Sequence, residues 1–494
     1  MIERCFIMVF SSLLFLYAFF SISLLAYALC KGRRSQNVVL LIFSLIFYAW
    51  GEPKYVLLLM FMALTSWICA LGVDKSQSRG RKKLWLGIAA VIDIGLIGWF
   101  KYAGLVSSIF GPVPEFIARI ALPIGISFYT FQLLTYVVDV YRGEARAQKS
   151  YWNVLLYAAL FHQCIAGPIV RYKTIDQELF GDEPRVSEWA PGVSRFCAGL
   201  AKKVLLANPC GAVADALILA ESTASDVSLF AQNAEALASV SVLGAWIGVI
   251  AYSLQLYLDF SAYSDMAIGM GRMLGLHYPE NFKYPYISKS VTEFWRRWHV
   301  SLGTFFRDYV YFPLGGSRKG KGRMVINCFV VWSLTGLWHG ADWNYLLWGI
   351  YFFIFLMLER FVLKKAWLDK LPVISNIYLI FVVLLGRVLF RFTELGLVGV
   401  LFKSLFGLNG NVLSDFASVV QFESNAFLLL VACLASTPIF KIIKDRLEAK
   451  VSLSGGMQKA WNVCFYSILP VLLLLLSTAC LVGDSYNPFI YFQF

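Results

Sequence analysis

LPVLLLLLSTACLVG, residues 469–483, carries no charge and is followed within two positions by YNPFIYFQF, residues 486–494, an aromatic ending without a charged side chain. Extended back to about residue 461, the run is long enough to cross the roughly 30 Å hydrocarbon core of a bilayer as a helix. Comparable runs recur along all 494 residues, 59% of which are hydrophobic and only 15% charged, against about a quarter charged in a soluble domain. Short segments of alternating polarity, the mark of an outer-membrane barrel, are missing, so the spans are predicted as helices. No polar stretch is long enough to fold alone. The expectation is an all-α polytopic membrane protein, one membrane domain over 1–494, with 461–494 a final transmembrane helix carrying an external tail.

Charge sets the predicted orientation. KGRR at 31–34 and DKSQSRGRKK at 74–83 are strongly basic, whereas GEPK at 51–54 has no net charge. Basic loops stay cytoplasmic, which puts the N-terminus outside, with an uncleaved first span and spans near 6–30, 37–51, 55–73 and 84–100. YRGEARAQK at 141–149 returns to the basic side, and the interrupted stretch 151–220 reads as broken, re-entrant or interfacial helices. After an apolar stretch at 238–258, residues 280–323 hold nine Lys or Arg against three acids, a cytoplasmic face with amphipathic helices. Further apolar stretches fall near 325–338, 343–363, 373–392, 395–407 and 425–440, and basic KIIKDRLEAK at 441–450 is again inside. The last span then runs outward, so both termini are expected outside the cytoplasm. The net charge of +13 is accounted for by loops facing anionic membrane lipids, with no nucleic-acid partner. Ten scattered cysteines without CxxC spacing suggest neither disulfides nor a metal site, and no metal is expected.

The four histidines carry the chemistry to be weighed. His162, in a short segment broken by Gly167 and Pro168, reads as a packed, hydrogen-bonded side chain, and His277, before a Pro-Glu turn, as a cap or loop contact. His299 sits in EFWRRWHVSLGTFFRDYVYFPLGG at 293–316, and His339 in the apolar LTGLWHGADWNYLLWG at 334–349. An ionisable group within a membrane span is costly to bury and marks a functional site by default; a histidine merely bonded between helices is the competing reading for both. Gly336 and Gly340 leave room for backbone or ligand beside Trp338 and His339. A neutral imidazole suits general-base work on a hydroxyl. GxSxG, HExxH and GxxxxGK[ST] are absent, which argues against a serine hydrolase, a zinc protease and an ATP-driven pump. Arg318, Lys319, Lys321 and Arg323 in GGSRKGKGR could hold the phosphates of a nucleotide-bearing substrate, or simply face lipid. An enzyme and a transporter or flippase of an acylated carrier both remain open on these features.

EFWRRWHVSL and, forty residues on, the histidine of GLWHGADW, with LPIGISFYTFQLLTYVVDVYRG, AGPIVRY, LDFSAYSDMAIGMGRMLG and ENFKYPYIS upstream, resemble the membrane-bound O-acyltransferase (MBOAT) family. Within it the likeness is to the bacterial branch of alginate and polysaccharide O-acetylation, and it runs from residue 8 to the last. The resemblance implies a ring of about eleven or twelve transmembrane helices around a thin central tunnel, each long enough to span the bilayer, with added interfacial or re-entrant helices. It implies catalytic roles for His339 and His299, acetyl-CoA as the cytoplasmic donor, and a bacterial inner-membrane location. It further implies an extracytoplasmic SGNH-type acetyltransferase as partner and an exported polysaccharide or cell-wall glycan as final acceptor. Phe489, Tyr491 and Phe494 resemble the FxYxxF ending of this branch, which makes Tyr491 the expected acyl relay.

Overall fold

Uncharged runs become long helices because a backbone buried in hydrocarbon has to satisfy its own hydrogen bonds. The computed structural model describes residues 8–488, apart from positions 166, 184, 225, 364, 452–454, 484 and 485. Among the described residues there is no strand, and seven helices are long and apolar enough to cross a membrane: Val56–Lys75, Arg79–Phe110, Val242–Met273, Trp343–Leu363, Pro372–Arg391, Phe416–Ala435 and Gly456–Gly483. Phe15–Leu29 and Leu395–Leu405 are shorter apolar helices. Ile126–Arg142 and Lys321–His339 approach the same length, the former shorter and the latter opened by charged residues. The chain is thus an all-helical, multi-pass membrane protein. The tail residues Phe489, Tyr491 and Phe494 lie outside the described residues.

The chain divides into two compact units, one of Met1–Ala198 with Tyr263–Glu280, the other of Gly199–Ala262 with Asn281–Phe494. In the first, Val56–Lys75 packs on Arg79–Ile97, Ile126–Arg142 and Tyr151–Ala159. Gly72 makes one of these crossings possible, since a Cβ there would sit 2.4 Å from the Trp85 ring. Phe10, Phe15, Phe19, Phe47 and Phe161 form a continuous aromatic cluster with ring centroids 4.9 to 6.3 Å apart. The interrupted stretch is broken as its sequence suggests, into Tyr151–Ala159, Tyr172–Phe180 and Trp189–Ala201, the last continued by a π-helical turn at Lys202–Ala207 and by Asn208–Ile218.

In the second unit the pairs Lys321–His339 with Trp343–Leu358, and Trp343–Leu358 with Pro372–Arg391, build the core around Trp348, Phe352, Leu379 and Val383. Gly336 and Gly349 meet where the first pair crosses: a Cβ on Gly336 would stand 2.2 Å from the Tyr345 carbonyl oxygen, and one on Gly349 2.3 Å from that of Trp332. The apolar stretch 238–258 extends to a helix ending at Met273, because its polar residues Asp259, Ser261 and Ser264 find buried places. The stretch expected at 425–440 is instead Phe416–Ala435, ended by Ser436-Thr437-Pro438, since a proline cannot continue the hydrogen-bond ladder. The final helix, Gly456–Gly483, keeps most of its surface free of protein contact, with only 11% of its span buried.

Candidate active site

His299 stands at a break between two short helices. Val291–Arg297 is started by Ser290, whose Oγ accepts from the Glu293 N–H at 3.0 Å, and by Glu359, whose carboxylate accepts from the N–H groups of Val291 and Thr292 and from the Thr292 hydroxyl at 2.6 Å. Trp298 is extended, His299 takes the left-handed conformation with φ 45°, and Val300–Phe306 follows. Such a backbone costs a residue with a Cβ about 1 kcal/mol or more, so neighbouring groups must hold it.

Asn281 does so. Its carbonyl accepts from Val300 N–H at 3.0 Å, and its Oδ1 accepts from Ser301 N–H at 3.1 Å and Ser301 Oγ at 2.9 Å. The backbone N–H can only donate, which fixes Oδ1 rather than Nδ2 at that place. The same oxygen lies 3.2 Å from His299 Nδ1, so Nδ1 carries the proton and Nε2 is the free base. Nε2 is buried and has no partner among the described residues. His299 is 2% exposed, and burial pushes its imidazole down to about 3, so the ring is neutral at physiological pH.

His339 ends the Lys321–His339 helix, packed edge-on against Trp348 at 5.0 Å and Phe390 at 5.1 Å between ring centroids. Trp338 joins the two histidines, with its ring 5.6 Å from His299 and 4.8 Å from His339. The structure therefore brings together two residues forty positions apart in sequence. The space beside Gly336 and Gly340 is taken by the next helix, since a Cβ on Gly340 would fall 2.0 Å from the Tyr345 ring. Those glycines serve close helix packing around the imidazole.

The remaining expected residues go elsewhere. His162 is fully buried with Nδ1 2.7 Å from the Tyr278 hydroxyl, and His277 pairs with Glu178 at 2.8 Å, as structural histidines. Arg318, Lys319, Lys321 and Arg323 are exposed, the first two on a turn and the last two in the first turn of Lys321–His339, with the Asn327 amide donating to Gly316 O at 2.9 Å and Leu314 O at 3.3 Å. They stand at the opposite end of the helix from His339, about 27 Å away at 1.5 Å per residue. A cavity of about 900 Å³ in the first unit, lined by Lys31, Arg33, Arg34 and Arg185 among others, includes none of the four histidines.

Arg387 was not singled out by a reading centred on histidines. It is 2% exposed, its guanidinium lies 4.3 Å above the Trp298 ring, and its Nε and one Nη have no partner among the described residues. The signal was present in LLGRVLFRF at 384–392, where two arginines interrupt an apolar run.

The buried His299, His339 beside it and an arginine with open donors, enclosed by tryptophan and phenylalanine at helix ends, form a site with groups suited to acid–base chemistry in a membrane protein. The chain belongs to the MBOAT, membrane-bound O-acyltransferase family, which it matches over residues 42–394. It is an O-acyltransferase, which decides between the enzyme and transporter readings. A probable alginate O-acetylase AlgI of Pseudomonas putida is 34% identical over 99% of this chain and 100% of its own. A peptidoglycan O-acetyltransferase of Helicobacter pylori is 28% identical over 100% and 99%. A teichoic acid D-alanyltransferase of Bacillus subtilis is 27% identical over 50% of this chain and 62% of its own.

Proposed function

We propose that this acyltransferase takes acetyl from cytoplasmic acetyl-CoA and moves it across the bacterial inner membrane for O-acetylation of an exported or cell-wall polysaccharide. His339 is the general base, His299 its partner in proton handling, and Tyr491 the acyl carrier. The observation that carries this reading is the meeting of His299 and His339 on Trp338, with the His299 Nε2 lone pair buried and open. Full-length relatives named for O-acetylation of alginate and peptidoglycan support the acetyl group and the glycan acceptor.

In the transfer, the Tyr491 oxygen attacks the thioester carbonyl carbon; a C–O bond forms, the C–S bond breaks, and the phenolic proton passes through His339 to the leaving thiolate. A phenol of pKa near 10 is protonated at neutral pH, so a base is required. Open N–H groups of Arg387 suit the negative charge that develops on the carbonyl oxygen. The aryl ester then passes its acetyl to a serine of an extracytoplasmic SGNH-type partner and on to a sugar hydroxyl, which restores the phenol. The stretch with Arg318, Lys319, Lys321 and Arg323 faces the cytoplasm and draws in the donor's phosphates. Both chain termini lie outside, a reading supported by the basic loops at 31–34, 74–83 and 441–450.

The test is acetylation of the exported polymer by cells carrying His339→Ala or Tyr491→Phe. Both are expected to lose it by at least about 100-fold, the scale of removing a general base or a nucleophile. A variant that acetylates at the wild-type rate removes that residue from the mechanism.

A further inference from the structure

Beside this site the second unit holds two ion pairs that acyl transfer, as described, does not use: Lys203, Asp259 and Arg391 are buried, and Asp215 is 24% exposed. Lys203 and Asp259 pair at 2.9 Å, each side chain 3% exposed, and Arg391 Nη2 donates to Asp215 Oδ1 at 2.6 Å. Ion pairs in an apolar interior add little net stability over apolar packing, which turns attention to what else they hold. They hold the end of the chain. The Lys203 ammonium donates to the Pro488 carbonyl, the Asn208 amide donates to Tyr486 O and to Asn487 Oδ1 at 3.2 Å each, and the Tyr486 hydroxyl donates to Asp215 Oδ2 at 2.7 Å. Gly211 leaves the space for this: a Cβ there would sit 2.8 Å from the Tyr486 hydroxyl oxygen.

The holding groups come from distant parts of the unit, yet they adjoin the histidine site. Arg391 follows Phe390, whose ring packs on His339 at 5.1 Å, and its guanidinium lies 4.7 Å over the Tyr252 ring. Lys203 belongs to the π-helical turn Lys202–Ala207, a local irregularity that recurs at functional positions. Position 491 is three residues on from Pro488, a reach of at most about 10 Å for extended chain.

We propose that Lys203, Asn208, Asp215 and Arg391 form a dock for the segment Tyr486–Pro488 that positions the chain end for acyl loading. These are positioning residues, and the proposal rests on Tyr491 being the carrier. Charge pairs suit the task because they give the tail a direction and a register, where an apolar groove would let it slide. The Lys203 ammonium meets both a carboxylate and a tail carbonyl, so the tail docks only where the ion pair is complete.

Full-length protein in proteoliposomes provides the test, with Lys203→Met, Tyr486→Phe and Lys203→Arg. Thermal melting and chromatographic profile first establish that each variant is folded. Limited digestion by proteinase K, read by mass spectrometry, reports cutting within 484–488, and loading from labelled acetyl-CoA reports acyl transfer. The expected result is faster cutting of the tail in Lys203→Met and Tyr486→Phe, with maximal loading rate reduced at least tenfold, donor KM little changed, and partial recovery in Lys203→Arg. Folded variants that keep the tail protected, or that expose it and still load at the wild-type rate, overturn the dock. Failure of the carrier reading shows separately: Tyr491→Phe would still pass acetyl to the acceptor while its tail stayed protected.

Discussion

Asn281 sets both the backbone and the tautomer of His299, and one acceptor oxygen does most of the work. Replacing it with alanine takes the Asn281 acceptor from Ser301 N–H and leaves His299 Nδ1 only the longer contact to the Ser301 hydroxyl at 3.4 Å, a loss of about 1–3 kcal/mol for buried groups. Asn281→Ala is expected to lower the melting temperature and cut acyl transfer, and Asn281→Asp, which keeps an acceptor oxygen, to retain more of both. Equal damage from the two would mean that the Oδ1 acceptor is not what matters. His162 offers a different measurement. Burial pushes its imidazole down to about 3, from an ordinary value of 6.5. The unfolded chain therefore binds a proton that the folded chain refuses as pH falls below 6.5, and stability declines toward pH 3 by up to about 1.4 kcal/mol per pH unit for this group. His162→Gln should flatten the fall in melting temperature between pH 7 and pH 5, and an unchanged slope would rule His162 out as a source. His339 stood out in the sequence because an ionisable group in an apolar run is conspicuous, and His299 because it sits among arginines and tryptophans. The same rule, applied to Arg387, Arg391 and Asp259, would have flagged them too; their partners would still have been hidden, since Asp215 and Arg391 are 176 positions apart.

Helices place these residues through contacts that leave no slack. At the crossing of Lys321–His339 and Trp343–Leu358, Gly336 and Gly349 let two backbones approach, and their Cα atoms are close enough that an added Cβ on either would lie 3.3 Å from the other. Small residues are how helices associate closely in lipid, where no hydrophobic effect drives them together. Gly349→Ala touches neither histidine, yet it would press the Trp332 carbonyl and move the helix that ends in His339. A cost of about 1–3 kcal/mol is expected from such overpacking, with acyl transfer falling alongside thermal stability. Wild-type melting and wild-type turnover in Gly349→Ala would show that the crossing has room to relax. Helix existence was readable from apolar length, whereas helix ends were not: the break at His299 depends on Asn281 and Glu359, remote groups that no local pattern announces. Likewise the 32 residues of Val242–Met273 continue past the point where polarity suggested an end, with Ser253 meeting the Tyr286 hydroxyl at 2.8 Å and Asp259 meeting Lys203 at 2.9 Å.

Across the whole molecule, the described helices differ widely in how much protein surrounds them. In Val242–Met273, 78% of the spanning window is buried, against 11% in Gly456–Gly483. Lipid, more than protein, is the solvent of the last helix. Its apolar part, residues 461–483, is about 34 Å long, somewhat more than a hydrocarbon core of roughly 30 Å, which a modest tilt accommodates. Tilt changes with membrane thickness, and Gly483 stands only three residues before Tyr486, where the tail is held. In bilayers built from lipids of graded acyl-chain length, the rate of acyl loading is expected to pass through a maximum. A flat response would uncouple the last helix from the tail. With the maximum present, the thickness of the surrounding bilayer becomes a setting of the enzyme, and the cell's choice of fatty-acid length a control on how fast acyl groups are transferred.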